Sequence, residues 1–249
     1  MDYRVIHYDQ IDSTNIEAER RARKGEEQGL IIVAESQSAG KGRRGRSWES
    51  PAGENLYFSV LLKPEMNPEK TPMLTLVMAY SVAKVFREEG IPVQIKWPND
   101  LVIAKKKVCG ILTEMHIQES KTSDVVIGVG INVNTKGFPE ELREKATSIY
   151  MEMGDEMLRE ELLQKILLEF QCQYEDFLIV QDLSEIEESY NNILINKNQE
   201  VLVLEPRGEY KATALGINAV GELLVKRENG NIESVYAGEV SVRGVYGYV

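Results

Sequence analysis

One short stretch of the sequence combines glycine with positive charge in a way that suits the binding of a phosphate group. Residues 40–46 read Gly-Lys-Gly-Arg-Arg-Gly-Arg, and we call them the cationic loop. The glycines let the backbone come close to a ligand and expose its N–H groups, while Lys41, Arg43, Arg44 and Arg46 supply positive charge. We therefore expect a flexible loop that closes over a bound anion.

The glycine spacing of the cationic loop also matches the dinucleotide-binding fingerprint, through Gly40, Gly42 and Gly45. That fingerprint needs a helix to begin at the glycines, whereas residues 47–53 are turn-like and lead into a strand. A Walker phosphate loop has the pattern Gly-x-x-x-x-Gly-Lys-Ser/Thr, which would align its second Gly and its Lys with Gly40 and Lys41. It is excluded because position 35 is Glu and position 42 is neither Ser nor Thr. A solvated turn and a nucleic-acid-binding patch remain as alternatives.

A second polar group follows a predicted strand. Residues 96–100 read Lys-Trp-Pro-Asn-Asp and bring an ammonium, an indole, an amide and a carboxylate together, although a structural turn explains Pro-Asn-Asp by itself. Lys107 opens the next predicted strand, where a solvated lysine is the ordinary interpretation.

Glycines within a strand mark a third region. Residues 128–134 read Gly-Val-Gly-Ile-Asn-Val-Asn in a β-rich segment. Glycine inside a strand indicates a bulge or the close approach of another group to the backbone.

A scaffold of strands and helices must bring these three regions together. Thr14 and Glu17 predict a capping box at one helix start, and Thr71 followed by Pro72 predicts the N-terminus of another. Hydrophobic periodicity predicts strands at residues 3–8, 30–34, 56–62, 93–96, 107–115 and 125–133, and helices at 14–25, 71–90 and about 155–178.

The pattern of predicted elements changes at about residue 198 to short strands separated by turns. We therefore predict an α+β domain at residues 1–197 and a small β-barrel-like domain at residues 198–249. Asn229-Gly230 is a strong hairpin signal. The predicted strands of the small domain are residues 200–204, 210–217, 222–227, 232–236 and 239–243.

Composition narrows the class of protein. The net charge of −11 argues against a nucleic-acid or anionic membrane partner, and no apolar run is long enough to span a membrane. Cys109 and Cys172 lack disulfide or zinc spacing, so we interpret both as buried thiols of a cytoplasmic protein. His7 and His116 are too isolated to predict a metal site.

Taken together, the motifs resemble those of the biotin–protein ligases, and they occur in the same order along nearly the whole chain. The resemblance implies an α+β catalytic domain with a mixed sheet flanked by helices, like that of class II aminoacyl-tRNA synthetases, followed by an SH3-like β-barrel. It also implies a form without the N-terminal DNA-binding domain of some members. The matching segments are residues 12–15, Gln37 with 40–46, 96–100, Lys107 with 109–112, 128–132, and 238–239 through Arg243.

Carried onto these positions, the resemblance assigns a role to each residue. Lys107 would contact both the biotin carboxylate and the α-phosphate, the cationic loop would order over the adenylate, and Asp100 would accept or orient the proton of the attacking lysine. The residues implied to bind biotin are Ser13, Thr14, Asn15, Gln37, Lys41, Gly42, Arg43 and Lys107, and those implied to bind the nucleotide are Arg43, Arg44, Arg46, Trp48, Lys96, Asn99, Asn132 and Arg243.

The same resemblance implies the substrates and partners: ATP, biotin, Mg²⁺ with the triphosphate, a biotin carboxyl carrier protein that offers the acceptor lysine, and a homodimer formed through the main sheet. Lys41 stands where the family usually has arginine, which keeps the charge but loses bidentate geometry. The nearest rival is a lipoate or octanoate ligase, which shares the chemistry and core fold. A nucleic-acid-binding module is the rival from another class.

Overall fold

The computed structural model describes residues 1–118, 121–205, 208–237 and 241–244, excepting the side chains of 118, 121–123, 205, 241 and 243. Its main part is a seven-stranded sheet in which the first two strands are parallel and every other pair is antiparallel. The strand order is β1-β2-β3-β7-β6-β5-β4. The strands are β1 Arg4–Ile11, β2 Leu30–Gln37, β3 Leu56–Leu62, β4 Gln94–Lys96, β5 Asp100–Ile103, β6 Lys106–Gln118 and β7 Lys121–Ile131.

Helices cover both faces of this sheet, which confirms the predicted mixed sheet flanked by helices. Side chains alternate between the faces along each strand, as the period of two requires. Ile31 of β2 packs into the core beneath the two long helices, whereas its neighbours Leu30 and Ile32 pack beneath the first helix. The helices are α1 Thr14–Ala22, α2 Met73–Glu88, α3 Glu140–Arg143, α4 Ile149–Met153, α5 Arg159–Val180 and α6 Glu187–Asn192.

A second, smaller sheet follows the last helix. Its five strands are antiparallel in the order β11-β10-β9-β8-β12, which is linear over the described residues, so closure into an SH3-like barrel stays a prediction. Trp97 joins the two parts because its buried indole N–H donates to the Gly221 carbonyl at 3.0 Å. The strands are β8 Glu200–Glu205, β9 Gly208–Ile217, β10 Leu223–Lys226, β11 Ile232–Val235 and β12 Ser241–Gly244.

Two predicted helix caps are wrong. Ser13, not Thr14, is the N-cap of α1, and neither side chain caps the helix. Thr14 is the first helical residue, and its hydroxyl faces the polar groups of β2 and β3 instead. Helix α2 begins at Met73 after Pro72, so Thr71 is not its cap.

Other differences concern strands and cysteines. Strand β5 was not among the predicted strands, because residues 96–100 signal a turn and the strand that follows is only four residues long. Cys109 is buried as predicted, but Cys172 is exposed on α5, so the prediction of a buried thiol there is wrong. The predicted Asn229-Gly230 hairpin is confirmed between β10 and β11, with Gly230 at a φ of 87°. Residues 239 and 240 of the strand predicted at 239–243 lie outside the described residues.

Candidate active site

A cavity opens on the α1 face of the main sheet. It lies over the middle strands, between the first turn of α1 and the cationic loop. Every residue predicted to bind biotin lines it, although the three sequence regions are far apart in the chain. The lining residues are Ser13, Thr14, Asn15, Gln37, Lys41, Gly42, Arg43, Trp48, Asn99, Lys107, Gly110, Ile111, Leu112, Gly128, Val129 and Gly130.

One wall of the cavity is a network of neutral polar groups held on rigid elements. The Thr14 backbone N–H and hydroxyl both donate to Gln37 Oε1, at 2.9 and 3.2 Å, and Gln37 Nε2 donates to Ser50 Oγ at 2.8 Å. The buried Ser59 hydroxyl lies 2.8 Å from Thr14 Oγ1 and 2.6 Å from Asn15 Oδ1. Because each amide and hydroxyl is oriented by a neighbour, the wall is preorganised for a neutral polar ligand.

Glycines of β6 and β7 make room for the side chains of Asn15 and Trp48. A Cβ at Gly128 would lie 2.0 Å from Asn15 Oδ1, and a Cβ at Gly130 would lie 2.6 Å from the Trp48 indole nitrogen. Gly110, the cross-strand partner of Gly130, is crowded by Trp48 as well. The predicted close approach to the glycine strand is thus made by the site's own side chains. The Trp48 indole N–H is buried and finds no hydrogen-bond partner among the described residues, so it is a donor that a ligand can satisfy.

Positive charge collects at the other end of the cavity. Lys107 Nζ lies 2.6 Å from Asp100 Oδ1 and 5.0 Å from the centre of the Trp48 ring, within cation–π range. The Arg43 guanidinium donates to Asn99 Oδ1 at 2.9 Å and to the Ala237 carbonyl of the C-terminal part at 2.6 Å.

The surroundings of Arg43 disfavour the charged form of its guanidinium. Burial lowers the pKa of its guanidinium from the ordinary value, and the nearby Arg44 and Arg46 lower it further, while Asp100 opposes them. A partly desolvated cation in this position is stabilised when an anion binds beside it. The same end of the cavity therefore favours a phosphate or carboxylate.

The cationic loop is a closed turn held by its own backbone. Gly42 N–H donates to the Arg46 carbonyl at 2.7 Å, and Trp48 N–H donates to the Gly40 carbonyl at 2.9 Å. A Cβ at Gly40 would lie 2.4 Å from the Trp48 carbonyl oxygen, so only glycine fits there. Gly45 has a φ of 71°, in the left-handed region. These bonds place Lys41 and Arg43 toward the cavity and leave Arg44 and Arg46 exposed.

The structure places the remaining predicted residues outside the cavity lining. Lys96 is buried and pairs in register with Asp100 between β4 and β5. Asn132 follows β7, where its side-chain amide donates to the Thr147 carbonyl at 3.0 Å. Arg243 belongs to β12, but its side chain lies outside the described residues.

Three contributors to the site were missed by sequence reasoning: Ser59, Glu114 and the backbone of Ala237. Glu114 had an available signal, because it lies two and four residues beyond Leu112 and Gly110 on one strand and must share their face. Ser59 is the polar residue within the apolar run of β3. Every residue has a backbone carbonyl, so the sequence gives no signal that the one at Ala237 takes part in the site.

Among the residues that the structure describes, no group of three His, Cys, Asp or Glu side chains is arranged to hold a metal ion. Among the same residues, no helix has both the length and the apolar character needed to cross a bilayer.

Comparison with known proteins gives consistent similarities. Residues 8–132 match the biotin/lipoate A/B protein ligase family, and residues 198–243 match the biotin protein ligase C-terminal domain. The bifunctional ligase/repressor BirA of Bacillus subtilis is 36% identical over 247 residues, which cover 97% of this chain and 75% of that protein. The biotin–[acetyl-CoA-carboxylase] ligase of Paracoccus denitrificans is 35% identical over 125 residues, covering 49% of this chain and 51% of that protein.

The chain is also similar to solved structures of biotin protein ligases. The biotin protein ligase from Aquifex aeolicus, in complex with biotin and ATP, has a TM-score of 0.83 at 33% sequence identity, and the match covers 96% of this chain and 98% of that chain.

Proposed function

The chain belongs to the biotin/lipoate A/B protein ligase family, and we propose that it is the enzyme that activates biotin with ATP and transfers it to a lysine of a biotin carboxyl carrier protein. The main support is that one cavity joins a wall of oriented neutral polar groups to an end that carries Arg43 and Lys107. The neutral wall suits the ureido ring of biotin, and the cationic end suits its carboxylate and the phosphates of ATP.

The first step makes a mixed anhydride, because a carboxylate is a poor acyl donor. A biotin carboxylate oxygen attacks the α-phosphorus of ATP, the bond to the bridging oxygen breaks, and pyrophosphate leaves with that electron pair. Two anions must approach each other for this to happen. Lys107 and Arg43 lower their repulsion and stabilise the charge that builds on the phosphoryl oxygens. The triphosphate would bring Mg²⁺ bound mainly through its phosphate oxygens, and that ion would neutralise part of the phosphate charge.

Asp100 acts chiefly through Lys107 in this proposal. The Asp100 carboxylate oxygen lies 2.6 Å from Lys107 Nζ, so this ion pair holds the ammonium in place. We therefore assign Asp100 the role of orienting Lys107, in place of the predicted role of accepting or orienting the proton of the attacking lysine. Trp48 and Asn132 hold the adenine, and the Trp48 N–H, which has no hydrogen-bond partner among the described residues, donates to the nucleotide.

The second step transfers biotin to the carrier. The ε-amine of the carrier lysine attacks the acyl carbon of biotinyl-5′-AMP, the bond to the phosphate oxygen breaks, AMP leaves, and the amine nitrogen loses a proton. A free lysine has a pKa of about 10.4, so it arrives protonated and must lose its proton before it attacks. The closed cationic loop keeps water away from the anhydride until that amine arrives.

Two assays test this function. Biotin should stimulate exchange between ATP and labelled pyrophosphate, and mass spectrometry should show one added biotinyl group on a biotin carboxyl carrier protein. Exchange that responds to lipoate or octanoate but not to biotin would assign the chain to the other branch of the family.

The outer parts of the chain carry further proposals. We propose a domain division at residues 197/198 that makes the small sheet a separate SH3-like domain, and we propose that its Arg243 contributes to ATP binding. Strand β1 pairs with β2 alone among the described strands, so one edge of the main sheet is open for a homodimer. Light scattering with and without biotin measures that assembly. The free Cys109 and Cys172 suit a cytoplasmic location.

A further inference from the structure

A half-buried carboxylate behind the cavity connects the cationic loop to the polar wall. Glu114 of β6 is outside the cavity lining, yet its Oε1 lies 3.1 Å from Lys41 Nζ and its Oε2 accepts from Asn15 Nδ2 at 2.8 Å. Lys41 and Asn15 both line the cavity, one from the loop and one from the first turn of α1. One side chain thus contacts both of the elements between which a ligand lies.

The contact with Asn15 fixes the orientation of an amide. An ionised carboxylate only accepts hydrogen bonds, so the Asn15 NH₂ group must point to Glu114 and its oxygen must point to the Ser59 hydroxyl, 2.6 Å away. Gly128 leaves the space that this orientation needs. The wall residue is therefore held from two sides, by β3 and by β6.

The contact with Lys41 fixes the loop. Lys41 is the residue at which the loop forms its antiparallel bridge to Ser47, just before the 3₁₀ turn that begins at Arg43. Both partners of the Lys41–Glu114 ion pair are about one-third exposed, so the pair is only partly screened by solvent. Tying Lys41 to β6 holds the loop in the closed position that brings Arg43 over the cavity.

From this geometry we propose that Glu114 is a positioning residue that couples closure of the cationic loop to the biotin wall and so retains biotinyl-5′-AMP until transfer. This inference rests on the proposed function. Lys41 gains a role as the partner of Glu114, which an ammonium fills as a point charge without the bidentate geometry of arginine.

The two contacts of Glu114 can be separated by substitution. Glu114→Gln keeps an acceptor oxygen for Asn15 but removes the ion pair, so it should speed release of preformed biotinyl-5′-AMP about fivefold, the scale of losing a partly exposed ion pair. Glu114→Ala also removes the acceptor for Asn15. It should therefore raise the KM for biotin more than it lowers kcat in pyrophosphate exchange.

A double-mutant cycle tests the coupling itself. In a Lys41→Met background the Glu114→Gln change should alter the release rate less than twofold. The matched control is Glu89→Gln, which breaks a lysine–glutamate pair with Lys165 on the far helices and should leave the release rate unchanged. A full fivefold effect of Glu114→Gln in both backgrounds, or no effect in the wild-type background, would overturn the proposal.

Different outcomes contradict the proposed function and the proposed role of Glu114. Absence of biotin-dependent exchange in the wild-type protein contradicts the proposed function. Normal exchange with additive effects of the two substitutions contradicts only the role of Glu114.

Discussion

Lys107 and Asp100 form an ion pair with 2.6 Å between the ammonium nitrogen and the carboxylate oxygen, at the cationic end of the cavity. The pair spans neighbouring strands, because Asp100 begins β5 and Lys107 lies near the start of β6. A flexible lysine side chain is thereby held in one place beside Trp48. The ammonium that must meet two anionic substrates is oriented before either of them binds.

Replacing Asp100 by Asn tests whether this carboxylate orients Lys107 or acts as a base. If it orients Lys107, pyrophosphate exchange and biotin transfer should both fall about tenfold, since each step depends on the placement of that cation. The two rates are measured by labelled pyrophosphate exchange and by transfer from purified biotinyl-5′-AMP. A variant with normal exchange and strongly impaired transfer would instead make Asp100 the base.

Arg43→Gly should still activate biotin, because Lys107 remains at the cavity, but it should release the adenylate. Without the guanidinium that bonds Asn99 and the Ala237 carbonyl, the loop no longer holds its closed contacts with the rest of the chain. Free biotinyl-5′-AMP in a single turnover, measured by chromatography, should exceed the wild-type amount at least about tenfold. Arg23→Gly, at the exposed C-terminal end of α1, is the control. A variant that releases no more adenylate than wild type would remove Arg43 from this role.

Gly128→Ala should weaken the binding of biotin strongly, although it adds only one methyl group. The new Cβ would lie 2.0 Å from Asn15 Oδ1, so the wall residue must move. We expect the Kd for biotin, measured by calorimetry, to rise at least about tenfold, the cost of misplacing one oriented polar contact. Gly137→Ala is a matched control because nothing lies within 4 Å of its added Cβ. Equal affinities for biotin in the two variants would mean that Asn15 has no part in binding.

The two cysteines should differ sharply in reactivity. Burial raises the pKa of the Cys109 thiol, so at neutral pH it stays protonated and the reactive thiolate is not formed. Cys172 is exposed on α5. Iodoacetamide at pH 8 should modify one thiol in the folded protein, and Cys172→Ser should abolish that modification, as followed by mass spectrometry. Rapid labelling of Cys109 in the native protein would contradict the buried position of β6.

Sequence reasoning found most of this site because its residues lie in local patterns. The cationic loop and the glycine strand are readable from spacing, Lys107 was assigned through the family resemblance, and all of them reach the cavity. The cap predicted at Thr14 was wrong because tertiary contacts overrode its local propensity. Thr14 uses its hydroxyl on Gln37, which is distant in sequence. Glu114 shows the same limit, since its two partners come from different segments of the chain.

The central claim is that the ammonium of Lys107 stabilises the anionic centre at which biotinyl-5′-AMP forms. Biotin-dependent exchange between ATP and labelled pyrophosphate in a Lys107→Ala variant tests this most directly, with Lys165→Ala on the exposed face of α5 as the matched control. The loss of one preorganised charge contact predicts a fall of at least about a hundredfold for Lys107→Ala and near-normal exchange for the control. Near-normal exchange by a correctly folded Lys107→Ala protein would contradict the account.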